Sequence, residues 1–336
     1  MKILFSSYTF FPNVGGIESV SAILADAFVE AGHTVELITD TPGDGPGDVP
    51  YPITRQPSFF TSLRLLRWSD LLFQNNISLR SLLPALILGK RAIVVHQTWI
   101  RTIYGDVGWS GRIKHFLLPR LVNIAISRAI QDHIKTSAVV IPNPYDDKVF
   151  YLRPEIVRDK TLVFLGRLVS DKGVDLLLHA MKILRSENLN CDLTIVGRGP
   201  EEQNLRNLAS DLGLDTQVDF VGPKSGDNLA ALLNRYRILV VPSRWAEPFG
   251  VVALEGIACG CVVVGSQDGG LKEAIGPCGV TFQNGNEHAL ADCLKDLLSN
   301  PKKEEVLRRA APEHLSQFRA QAVANAYLEL LGKAVA

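Results

Sequence analysis

The sequence predicts an α/β chain of two Rossmann-like domains, and three observations carry that prediction. At 336 residues the chain exceeds one ordinary core and suits two domains. Short apolar segments of strand length alternate with segments of helical period from end to end, the pattern of parallel sheets covered on both faces. A proline-bearing stretch of mixed charge at 151–159 separates two such series.

Bulk composition narrows the function classes. Hydrophobic residues make up 46% and charged residues 21%, so the chain should fold unaided. Lys plus Arg and Asp plus Glu both number 35, which removes any global attraction for nucleic acid. The charge is uneven, however. Residues 53–135 hold three Lys and nine Arg against Asp70, Asp106 and Asp132. A basic first half suits an anionic acceptor or an anionic lipid surface, or is simply a solvated basic face. The five cysteines (Cys191, Cys259, Cys261, Cys278, Cys293) form no CxxC pair, so buried free thiols in a reducing cytoplasm are expected. Residues 1–12 read as a first strand and not as a signal peptide. No run approaches the ~18 apolar residues of a membrane span.

In the first half, 2–6 is a buried-type strand, followed by a loop carrying the Gly15-Gly16 pair. A helix spaced on Val20, Ile23, Leu24, Ala27 and Phe28 ends at Gly32, and 34–40 is the next strand. This β–loop–α–β unit opens a Rossmann-like half, but GxGxxG is absent, so the dinucleotide fingerprint fails. Residues 41–57 read as a loop rich in Pro, Gly and Asp. The segment 58–73, with Phe59, Phe60, Leu63, Leu66 and Phe73 interleaved with Arg64 and Arg67, reads as one basic amphipathic helix. Residues 91–99 form a strand ending near His96, at the edge where open α/β sheets bind ligands. Asn143 and Phe150 fall in a turn leading to the linker.

The second half alternates more regularly and carries the chemistry. Gly166 to Gly173 reads GRLVSDKG: Arg167 leaves a strand end and Lys172 stands before the next helix. Two cations at such a junction can clamp a diphosphate, Arg by paired hydrogen bonds and Lys as a point charge. Gly197-Arg198-Gly199-Pro200 is a second strand-to-helix turn. The stretch 240–261, VVPSRWAEPFGVVALEGIACGC, runs strand, loop, helix. Glu247 lies in its loop and Glu255 on its helix, which opens at Gly250-Val251. The free N–H groups of a helix start attract an anion, and two bracketing carboxylates can read hydroxyls. The tail 315–331 has Phe318, Ala322, Val323, Ala326, Tyr327, Leu330 and Leu331 at helical spacing.

Glu247-Pro-Phe-Gly followed by Glu255, with Arg167/Lys172 before it, resembles the donor-site signature of retaining GT-B glycosyltransferases, glycosyltransferase family 4 (group 1). The motifs occur in the family's order, tightly in the second half and loosely in the first. The resemblance implies the GT-B fold, two Rossmann-like domains with parallel sheets facing across a cleft. Residues 1–152 would then be the acceptor-binding domain and 153–312 the nucleotide-sugar-binding domain. The helix in 313–336 would cross back to the first domain. It implies a cytoplasmic enzyme, with peripheral contact on the inner face of the membrane through its basic first half as a further expectation. That enzyme would move a sugar from a nucleotide diphosphate-sugar to a glycan or lipid-linked acceptor hydroxyl, with retention, in cell-surface polysaccharide or glycolipid synthesis. No metal is called for, since Arg167, Lys172 and the helix end take its place. By the same resemblance Gly16, Arg167, Lys172, Gly197, Arg198, Glu247, Phe249, Gly250, Val251 and Glu255 bind the donor. Glu247, Arg167, Lys172 and His96 are the catalytic candidates. Glu255 would take the ribose hydroxyls and Glu247 those of the transferred sugar. Asp268-Gly269-Gly270 is given no role beyond chain geometry.

Other classes fit less well. A glycosidase also uses paired carboxylates, but the phosphate-site flanks are foreign to it. An oxidoreductase would want GxGxxG with an acidic residue about 20 residues on. A GT-B nucleotide-sugar epimerase and a non-catalytic nucleotide-sugar-binding partner remain as alternatives.

Overall fold

The structure, a computed structural model, describes residues 1–13, 15–43, 49–100 and 107–335. Parts of the expected loops at 8–16 and 41–57 thus lie outside the described residues. The chain divides into two compact units, residues 1–144 with 319–336, and residues 145–318.

The first unit runs β1 (Lys2–Ser7), α1 (Gly16–Glu30), β2 (Thr34–Thr39), β3 (Ile53–Arg55), α2 (Phe59–Trp68), β4 (Leu71–Asn75), α3 (Leu79–Ile87), β5 (Arg91–His96), α4 (Trp109–Leu117), β6 (Val122–Ala125), α5 (Arg128–Ile134) and β7 (Val139–Val140). Its seven-stranded sheet is parallel throughout, in the order β3-β2-β1-β4-β5-β6-β7. The direction of winding reverses between β1 and β4, the switch point at which open sheets of this kind bind ligands. The core is aromatic: Phe5, Phe28 and Phe73 meet with centroids 4.9–6.2 Å apart, and Tyr327 joins at 5.8 Å from Phe73.

The second unit runs β8 (Lys160–Leu165), α6 (Val174–Ser186), β9 (Leu193–Val196), α7 (Glu202–Asp211), β10 (Val218–Gly222), α8 (Gly226–Leu233), β11 (Tyr236–Val241), α9 (Val251–Ala258), β12 (Val262–Ser266), α10 (Leu271–Ile275), β13 (Gly279–Phe282), α11 (Glu287–Ser299), α12 (Pro301–Arg309) and α13 (Ala311–Ser316). Its six strands are parallel in the order β10-β9-β8-β11-β12-β13. Leu162, Phe164, Ile195, Ile238, Val240 and Val262 form the sheet side of a closed core. The last helix, α14 (Ala320–Val335), belongs to the first unit and packs on α1.

Three local expectations need correction. The segment 58–73 is not one helix: α2 stops at Trp68 and Phe73 is a fully buried residue of β4. The break is Ser69-Asp70, whose carboxylate accepts from the Lys2 N–H at 2.7 Å and sets β4 beside β1. Residues 41–57 are not loop throughout, because Ile53–Arg55 adds an edge strand to β2. The tail period does not mark one helix either, since Phe318 lies before α14. Among the described residues no helix is long and apolar enough to cross a membrane. The five cysteines are free thiols, four of them buried.

Candidate functional site

In the second unit the winding reverses between β8 and β11, which are adjacent and parallel. The segments after these two strands are the two motifs that the sequence singled out, so the fold brings them together at a switch point. They are stitched by backbone. Gly173 has φ 67° and opens α6, and a Cβ there would lie 2.1 Å from the Pro242 carbonyl oxygen. Only glycine permits both the left-handed conformation and that approach. The Arg244 and Trp245 N–H groups donate to the Asp171 carbonyl at 2.9 and 3.3 Å. The Arg244 guanidinium grips Asp175 through both nitrogens, at 2.5 and 2.7 Å. The turn Ser170–Lys172 and the loop leading to Glu247 thus form one body.

At its centre Lys172 Nζ donates to Glu247 Oε1 at 2.6 Å. Ser243 Oγ donates to the same oxygen at 2.6 Å. Both members of the ion pair are mostly buried, with 23% of the Lys172 side chain and 13% of the Glu247 side chain exposed. The Glu247 backbone is braced by the turn after β12. Gly270 N–H donates to the Glu247 carbonyl at 2.7 Å, and Gly269 forms a bridge to Glu247. A Cβ on Gly269, whose φ is 81°, would meet that carbonyl oxygen at 2.2 Å. Asn284 ties the two segments, donating to the Ser243 carbonyl at 3.1 Å and accepting from Asp268 N–H at 2.9 Å. Ser243 and Asn284 escaped the sequence reading. Ser243 left one signal, a hydroxyl at a strand end four residues before Glu247, and Asn284 left none.

Arg167 and Arg198 leave the ends of the neighbouring strands β8 and β9, both exposed. The backbones there are in contact: Leu168 N–H donates to the Arg198 carbonyl at 3.0 Å, and a Cβ on Gly197 would lie 1.9 Å from the Gly166 oxygen. Every other arginine of this unit donates to a carboxylate or a carbonyl. Arg167 and Arg198 alone among this unit's arginines have no partner among the described residues. Two unpaired guanidinium groups beside a lysine leave positive charge available for an anion.

Helix α9 opens at Gly250, φ 118°, with no side-chain cap, so its first N–H groups have no acceptor within the helix. Phe249 is buried and stacks on Phe318 at 5.8 Å, which anchors the loop just before Gly250 and Val251. One turn into α9, burial first and the nearby Asp146 second push the Glu255 carboxyl up to about 7.

The remaining candidates lie in the first unit. Gly15 is the extended N-cap of α1 and Gly16 its first residue, with no side-chain cap. Glu18 closes that loop by accepting from Thr9 Oγ1 at 2.7 Å. His96 ends β5, fully buried. The amide nitrogen of Asn123 is spent on the Leu118 and Leu121 carbonyls, so its Oδ1, 3.0 Å from His96 Nε2, accepts the ring proton. Among the described residues His96 Nδ1 is left as a buried acceptor without a partner, and burial holds the imidazole neutral by lowering its pKa to about 4.

Among the described residues no group of three or more His, Cys, Asp or Glu could hold a metal ion. A cavity of about 460 Å³ contains none of these site residues. Lys160, Arg235 and Tyr236 line it, where β8 and β11 begin, at the opposite edge of the sheet from the two motifs.

Comparisons with known proteins bear on this arrangement. Residues 153–314 match the family Glycosyl transferases group 1. An uncharacterized glycosyltransferase of Methanocaldococcus jannaschii is 28% identical over 195 residues, covering 57% of this chain and 53% of that protein. The phosphatidylinositol N-acetylglucosaminyltransferase gpi3 subunit of Schizosaccharomyces pombe is 25% identical across 92% of this chain and 75% of its own length. The chain spans about half the length, or less, of the first curated relatives it matches. Among solved structures, the Anabaena protein HepE in complex with UDP and glucose superposes with a TM-score of 0.83 over 99% of both chains, at 19% identity. The chain therefore has the GT-B fold, and its residues 153–314, just under half of its length, match the group 1 glycosyltransferases.

Proposed function

We propose that the protein is a retaining glycosyltransferase that moves a sugar from a nucleotide diphosphate-sugar to a hydroxyl of a glycan or lipid-linked acceptor. The observation that carries this reading is the conjunction at one sheet edge of unpaired Arg167 and Arg198 with the Lys172–Glu247 pair. Arg167 and Lys172 hold the diphosphate and neutralise the charge that grows on it as the anomeric C–O bond breaks. The α9 N-terminus adds N–H groups to the same anion. Glu247 accepts from a hydroxyl of the transferred sugar, Glu255 from the ribose, and Gly197 and Arg198 border the nucleoside. The Phe249–Val251 backbone lies against sugar and phosphate. In the first unit, Gly16, at the uncapped start of α1, and His96, with a neutral acceptor nitrogen, are the candidates for substrate contact. The acceptor hydroxyl attacks on the face the leaving group vacates, and its proton passes to the departing phosphate oxygen. The positive groups present carry this chemistry without calling on a metal.

The partners are the nucleotide-sugar and an acceptor at an anionic membrane. Phe60, Ile87 and Trp109 are 80%, 85% and 76% exposed on α2, α3 and α4, and Arg64, Arg67 and Arg112 are exposed on α2 and α4. Apolar side chains among basic ones suit the inner face of a cytoplasmic membrane, where lipid-linked precursors of cell-surface glycans reside.

Ligand-induced thermal shift against UDP, GDP, ADP and their sugar conjugates, each with and without EDTA, tests the donor site. Stabilisation by one series that survives EDTA and is lost in Lys172→Ala is expected. Absence of any shift would overturn the reading.

A further inference from the structure

We infer that Ser243 is a positioning residue that sets which sugar the donor site accepts. The inference rests on the donor-site reading above and concerns the side chain that orients Glu247. Ser243 is fully buried at the end of β11. Its hydroxyl donates to Glu247 Oε1, the oxygen that Lys172 also occupies. Glu247 Oε2 takes no hydrogen bond from any described residue, so the carboxylate presents a single open acceptor. Its direction is fixed by the two donors on Oε1.

Those two donors are not equivalent once a substrate binds. Lys172 has three N–H bonds on a flexible stem, and a diphosphate competes for it with two or more negative charges. Ser243 sits on a short side chain, and its backbone is clamped by the Asn284 amide at 3.1 Å. With Lys172 drawn to phosphate, the Ser243 hydroxyl is the group that still holds Glu247. A carboxylate with one oxygen pinned and the other open can distinguish a sugar hydroxyl that points at it from the epimeric hydroxyl that does not. A site built to hydrogen-bond one hydroxyl rejects the analogue lacking it, because its own polar group is then left unpaired.

The test compares UDP, UDP-glucose and UDP-galactose on wild type, Ser243→Ala, Glu247→Ala and the double variant. GDP with its glucose and mannose conjugates replaces them if the guanine series stabilises the wild type. For Ser243→Ala the affinity of the bare nucleoside diphosphate should stay within about twofold. The preference between the two epimeric sugars, read as the ratio of kcat/KM, should shrink roughly tenfold. In the Glu247→Ala background the same serine change should have no further effect on that ratio, since the two residues act through one contact. An unchanged epimer ratio in Ser243→Ala overturns the inference. So does an equal loss of affinity for the bare nucleotide and its conjugates, which would mark a general structural role. A wild type that binds no nucleotide overturns the donor-site reading itself, and this inference with it.

Discussion

The two units share a parallel sheet with a switch point, yet they treat their surfaces in opposite ways. The second unit closes on itself. Its arginines are paired with described residues except at the two strand ends beside Lys172. Its exposed large hydrophobics are confined to the linker residues Tyr151, Leu152 and Val157 and to Val306. The first unit leaves Phe59, Phe60, Leu83, Ile87, Trp109 and Phe116 exposed on α2, α3 and α4. Right-handed crossovers place those three helices on one face of the sheet, with α1 on the other. Short helices of nine or ten residues that are apolar on both sides pack inward and still present apolar surface outward. The contrast is between a braced, charged strand edge in one unit and an exposed apolar helix face in the other.

Removing the free charge of the second unit should cost the most activity. Arg167 has no partner to lose, so Arg167→Ala should leave the melting temperature unchanged. It should lower kcat/KM by about 10²–10³-fold, the usual consequence of deleting one group that stabilises developing charge. Lys172→Ala should match or exceed that loss. A variant that keeps its activity would move the phosphate site elsewhere.

The next effect tests whether the braces matter as much as the charges. Gly269→Ala must place a Cβ against the Glu247 carbonyl at a positive φ, a strain of about 1–3 kcal/mol. Chemical denaturation should register that destabilisation. Donor turnover should fall further than Gly269's distance from any charge would suggest, because the Glu247 loop moves with it.

A third prediction concerns Glu255. Its carboxyl sits at about 7 in the folded chain, above its ordinary 4.5, so the folded state holds a proton that the unfolded state has released between those values. The stability associated with the protonated form is present below about pH 4.5 and is lost as pH rises through 7. Glu255→Gln keeps the neutral shape and should therefore gain on wild type by roughly 1–3 kcal/mol between pH 5 and pH 8, read by urea denaturation. Nucleotide affinity should move the other way, strengthening in the wild type as Glu255 ionises. An identical pH profile for the two proteins would remove Glu255 from the ribose site.

How much of this was legible in the sequence follows from how local each feature is. Arg167, Lys172, Glu247 and Glu255 could be read because a cation or carboxylate at the end of an apolar run is a local signal. The runs themselves fix where strand ends fall. Phe73 misled because a helical period ran on past Ser69-Asp70, and the contact that ends the helix, Asp70 with Lys2, spans 68 residues. The strand Ile53–Arg55 is too short to show alternation. Asn284 holds Ser243 across 41 residues, and Phe318 holds Phe249 across 69. Such braces are set by which strands become neighbours, and no window of the chain records that.

A weaker effect is expected at the exposed helix face of the first unit. Wild type should sediment with vesicles containing phosphatidylglycerol at low salt, and much less with phosphatidylcholine alone, because exposed arginines on α2 and α4 favour an anionic surface by about 1 kcal/mol each. Phe60 and Trp109 are already exposed, so replacing either by Ser should cost no folding stability. Burying an aromatic fully is worth about 1.5–3 kcal/mol, and insertion into a headgroup layer is only partial. Each single change should therefore weaken binding by roughly five- to tenfold, and the pair by more. Raised salt should weaken the wild type and both variants alike, since the charge term is common to them. Loss of binding with salt but not with Phe60→Ser or Trp109→Ser would leave a basic surface without insertion, and the apolar helix face would then need a protein partner to cover it.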